Sequence, residues 1–152
     1  AGRSRLALAA LVSGICLAQT GLGAVHGLAS PLGAFFPIPH GVCCGTLVAE
    51  ATAVNLRALE ARAPQSPALA KYARVAALPA GRSFATAEEA RAALVDLLAE
   101  WTERLTLPRL GHFGVTAADL GRVVAESRGS SMKTNPIVLT DEEIARIVGN
   151  RL

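Results

Sequence analysis

From Ser4 to Gln19 the chain reads SRLALAALVSGICLAQ, apolar on nearly every side of a helical wheel. A helix of that kind needs other helices around it, so the pattern predicts a buried central helix. Gly21 and Gly23 break it. Val25 to Leu32 has room for two turns before Pro37 and Pro39 end regular structure. Gly41 to Leu59 is apolar and then amphipathic, which predicts a second long helix. Ser66 followed by Pro67 opens a short helix, ending near Leu78. Thr86 with Glu89 forms a capping-box pattern, followed at helical spacing by Ala90, Leu94, Leu97, Leu98, Trp101 and Leu105. Thr116 to Asp119 repeats the start signal, and Thr140 with Glu143 gives another before Ile144, Ile147 and Val148. Alternation suited to a strand is missing. The expected architecture is all-α, with about six or seven helices in one domain covering 1–152.

Composition supports helices. Apolar residues make up 51% of the 152 and aromatics only 4%, so Ala, Leu and Val must fill the core. A β-sandwich would want more Thr, Tyr and Phe. The net charge of +3 comes from dispersed basic residues, with no basic stripe interleaved with aromatics, which argues against a nucleic-acid partner. Arg3 and Arg5 before an apolar run mimic a secretory signal, but Leu6 to Ala18 is shorter than the roughly 20 residues a membrane span needs. A buried helix is the expectation, with no membrane partner. Cys16, Cys43 and Cys44 are odd in number and two are adjacent, so they read as small buried apolar residues in a reducing, cytoplasmic setting.

Chemistry concentrates in GLGAVHGLASPLGAFFPIPHG, Gly21 to Gly41, which holds two of the three histidines. The prolines bend the chain, and Gly33 and Gly41 are expected to permit a reversal that returns His40 to His26. His40 falls in the first turn of a helix, whose partial positive charge favours a neutral imidazole, the form that binds a metal. Two donors alone are too few for a metal site, and a histidine in an apolar segment commonly just packs in a core. His112, isolated in PRLGHFGV, reads as a surface or loop residue. GLGAVH lacks the spacing of a dinucleotide fingerprint.

The stretch GLGAVHGLASPLGAFFPIPHGVCCGTLVAEATAVN resembles the signature of the iron-containing (group III) alcohol dehydrogenases, including the separation of its two histidines. The ending SSMKTNPIVLTDEEIARIV is similar to that family's C-terminus, where Asn-Pro precedes a last helix. The resemblance covers essentially the whole chain. It implies the all-helical C-terminal half of a two-domain dehydrogenase, with an α/β domain for NAD or NADP expected upstream. It also implies that His26 and His40 are metal ligands, for Fe²⁺ or alternatively Zn²⁺. The family's other two ligands, an Asp and a His one turn apart, have no counterpart, and the chain is expected to begin just past them. Where many members carry a further His, this chain has Ser30, one turn from His26. There Ser30 would contact substrate, water or a group behind the ligands, without relaying protons as imidazole does.

By this resemblance the full-length protein would interconvert an alcohol and an aldehyde or ketone by hydride transfer. The metal would act as a Lewis acid on the small-molecule substrate's oxygen. A homo-oligomer is implied for the full-length protein, and the 152 residues alone are expected to be inactive. Phe35 and Phe36 would wall the substrate side or simply pack in the core. Two other readings stand beside this one: a metal-independent reductase resembling maleylacetate reductase, and a non-catalytic helical module whose first helix is an interface.

Overall fold

The computed structural model describes residues 2–152. Among them there are helices and turns but no strand. The order is α1 Gly2–Thr20, α2 Ala24–Phe35, α3 His40–Arg62, α4 Pro67–Ala80, α5 Ala87–Arg104, α6 Leu120–Glu126, α7 Ser130–Lys133 and α8 Asp141–Gly149. Two 3₁₀ turns, Leu110–Phe113 and Ala117–Asp119, lie between α5 and α6. The all-α expectation holds. The count exceeds seven because α7, a single turn, carries no apolar periodicity by which a sequence could announce it.

Local chemistry sets most boundaries. Ser66 accepts from Ala68 N–H with Pro67 at the first helical position, and α4 stops at Gly81 in the left-handed region, φ 63°. Thr86 accepts from Glu89 N–H at 3.0 Å, but the Glu89 carboxylate reaches back to Ala85 N–H rather than to the cap residue. At α8 the box is complete: Thr140 accepts from Glu143 N–H, and Glu143 accepts from Thr140 N–H.

The main core lies between α2, α3, α6 and α8. Leu28, Leu32, Cys43, Leu47, Val123, Ile144 and Ile147 are all fully buried there. Smaller clusters join α3 to α4 through Leu56, Leu59 and Leu69, and α4 to α5 through Ala76, Ala90 and Leu94. Alpha-3 thus runs through the middle. By length and hydropathy it would pass as a membrane span, but 61% of its apolar window is buried inside the protein.

The first helix departs from expectation. It buries no residue at all, and Leu6, Leu8, Leu11 and Ile15 are each more than half exposed. An all-round apolar pattern states that a helix needs cover, not which element supplies it. The other helices of this chain do not. Cys16 is exposed with it, so it is not a buried apolar filler. At its end the chain turns through Gly21, φ 72°, and α2 leaves at 95° to α1. A side chain at Gly21 would meet Thr134 Oγ1 at 2.7 Å, so glycine serves both the turn and the contact.

Candidate metal centre

His26 stands in the first turn of α2, and that helix end is held from far along the chain. Its cap residue, Gly23, has no side chain to offer. Asn135 Oδ1 instead accepts from Ala24 N–H at 3.0 Å. Asn135 is itself fixed by reciprocal bonds with Asn55 of α3, at 2.7 and 3.2 Å, and by donating to Ile137 O at 2.7 Å. Next to it, Thr134 donates to Leu22 O at 2.6 Å. Two adjacent residues thus pin the α1–α2 junction onto α3.

His40 is the first residue of α3, entered through Pro39 at φ −58°, ψ 133°. The reversal between α2 and α3 uses extended backbone at Phe36 and Pro39. The expectation that glycines permit it fails. Gly33 and Gly41 lie inside the helices and are not among the positive-φ residues. The prolines are sufficient, because their fixed φ and missing N–H end one helix and suit the start of the next.

The turn brings the two imidazoles together, with ring centroids 5.3 Å apart and planes at 51°. Cys44, one turn further along α3, puts Sγ 3.5 Å from His40 Nε2. One donor atom from each of His26, His40 and Cys44 lies within 4.8 Å of the others. His40 is exposed, and His26 and Cys44 are half-buried. Burial, and secondarily the like charge of His40, holds the His26 imidazole below the usual histidine range. That favours the neutral form, in which one ring nitrogen carries a free lone pair for a metal. Burial pushes the Cys44 thiol up, and Cys43, turned into the core, up to about 12.

A groove of about 570 Å³ opens beside this cluster, lined by His26, Cys44, Thr52, Asn55 and Tyr72 together with Val48 and other apolar residues. Ser30 is exposed on α2 and does not line it. Phe35 and Phe36 pack against the main core instead, with the Arg122 guanidinium 3.3 Å from the Phe35 ring centroid. His112 is exposed in a 3₁₀ turn, edge-on to Phe113. Reading the cysteines as apolar filler overlooked Cys44. Its signal was the four-residue step from His40, which stacks two donors on one helix face.

Fold and cluster together define a class: a helical domain presenting imidazoles from two helices at the mouth of a groove. Known proteins narrow the class. Residues 1–152 match the Fe-containing alcohol dehydrogenase family, C-terminal. The chain is 30% identical over 149 residues to alcohol dehydrogenase 4 of Saccharomyces cerevisiae, covering 96% of this chain and 36% of that protein. It is 32% identical to alcohol dehydrogenase 4 of Schizosaccharomyces pombe, covering 95% and 32%. In fold it is similar to a crystal structure of 1,3-propanediol oxidoreductase, with TM-score 0.73, 24% identity, and coverage of 87% of this chain and 33% of that one. This chain belongs to the iron-containing alcohol dehydrogenase family and corresponds to its C-terminal region. It spans about a third of the length of these relatives.

Proposed function

We propose that the chain is the metal-binding helical part of an NAD(P)-linked alcohol dehydrogenase, acting in the cytoplasm on a small alcohol or its carbonyl partner. The observation that carries this is the approach of His26 and His40 to 5.3 Å from two separate helices. Their donor set fits a divalent ion such as Fe²⁺ or Zn²⁺, with nitrogen donors close enough to share it. Such an ion, when bound, supplies Lewis-acid polarisation of a substrate oxygen.

The remaining work falls to the chain itself. Alpha-2 and α3 hold the two imidazoles at a fixed separation, and the half-burial of His26 shifts it toward the neutral form. Val48 and Ala51 give the groove an apolar wall, while Thr52 and Asn55 offer hydroxyl and amide groups to orient a polar substrate end. Ser30, exposed one turn from His26, would contact water or substrate entering from outside. The nicotinamide cofactor would be held by a separate α/β domain, and the full-length protein would form a homo-oligomer. The uncovered α1 suits an interface to such additional structure as well as it suits a purely structural module.

In the full-length protein, His26→Ala and His40→Ala should each abolish metal retention, measured by elemental analysis, together with alcohol oxidation. His112→Ala should change neither. Full activity with no bound metal would instead favour a metal-independent reductase. Activity by the 152 residues alone would overturn the need for a second domain.

A further inference from the structure

We propose that Cys44 is a third ligand beside His26 and His40, giving this chain a two-histidine, one-cysteine donor set suited to a borderline ion such as Zn²⁺. The inference rests on the reading of the two histidines as ligands and adds to it a residue and a metal preference. The geometry is specific. Bonds of about 2.0–2.1 Å to nitrogen and about 2.3 Å to sulfur, at a tetrahedral angle, set the two donors roughly 3.5 Å apart. Cys44 Sγ and His40 Nε2 are 3.5 Å apart, on successive turns of one helix. His26 approaches from the other helix, and the three donor atoms lie within 4.8 Å of one another.

The adjacent cysteines are turned to different surroundings. Cys43 is fully buried in the main core, while Cys44 is half-buried and lines the groove with His26. His26 and Cys44 would therefore hold an ion beside the groove, with His40 at its outer side. On binding, the Cys44 S–H bond breaks, the proton leaves to solvent, and the sulfur electron pair forms the bond to the ion. Thiolate is a softer donor than carboxylate, so it favours Zn²⁺ over harder divalent ions.

The test loads the metal-stripped full-length protein with Co²⁺ as a spectroscopic stand-in for Zn²⁺. A thiolate-to-cobalt charge-transfer band in the near ultraviolet is expected. It should vanish in Cys44→Ser and persist in Cys43→Ser. Zn²⁺ affinity should fall at least about tenfold in Cys44→Ser, the lower end of what loss of even an outer partner costs a metal site. X-ray absorption of the zinc-loaded wild type needs no variant and should show one sulfur neighbour. Metal binding that requires His26 and His40 but shows no sulfur would overturn the role of Cys44 and leave the histidine reading intact. Metal binding that survives both His26→Ala and His40→Ala would overturn the two together.

Discussion

Alpha-1 and α3 are written in similar terms, long and apolar, and end in opposite circumstances. Alpha-3 buries residues on turn after turn from Cys43 to Leu59, while α1 buries none. The difference is in what surrounds them. Four helices of the same chain, α2, α4, α5 and α8, pack along α3, whereas α1 leaves the body at a right angle and is tied near its end. Apolar content measures a helix's demand for cover. Topology decides whether the demand is met.

The largest effect expected from this contrast lies in paired truncations. In the 152-residue chain Leu47→Ala, at a fully buried site, should cost about 2–5 kcal/mol by denaturant unfolding. Leu11→Ala, 62% exposed, should stay within about 0.5 kcal/mol. Equal losses would mean that α1 is covered and would end the contrast. In a longer protein that supplies a cover, the two losses should converge.

A smaller effect separates the two ties beside Pro136. Asn135→Ala strips the cap from α2 and removes both bonds between Asn135 and Asn55, which should cost about 1–3 kcal/mol. Thr134→Ala removes one exposed bond at the α1 end and should cost about 0.5–1.5 kcal/mol or less. If Thr134→Ala proves the worse, the α1 junction carries more of the stability than α3 does.

The smallest concerns protonation where the two helical regimes meet. His26 should titrate below the ordinary histidine value when followed by NMR. Because its folded value is lowered, the stability linked to it is complete above the unfolded value near 6.5. It is lost as pH falls through the folded value. His40→Ala should raise the His26 value only part of the way back, since burial is the larger cause. Full return would assign the effect to charge and place His26 in solvent, on the α1 side of the contrast.

Much of this was legible in the chain. Ser66–Pro67, Thr86 and Thr140 start helices where they say they do, because a cap is a contact among residues two or three apart. Pro37 and Pro39 announced the turn that joins the histidines. The cover of α1 was not legible, since periodicity names no partner. Asn135 capping a helix that begins at Ala24 was equally hidden, because the sequence shows Asn-Pro only as a pair that precedes the last helix. Cys44 was visible in its spacing from His40 and was obscured by its neighbour, which does belong to the core.

The asparagine that caps α2 also sets an order of events during synthesis. His26 and His40 leave the ribosome before Asn135, because the group that fixes the start of α2 follows Ala24 by 111 positions. Until it emerges, the nascent chain carries both imidazoles on a helix with a frayed end and an unanswered amide. A messenger truncated before residue 135 would therefore yield a polypeptide with both imidazoles in its sequence and the start of α2 left uncapped.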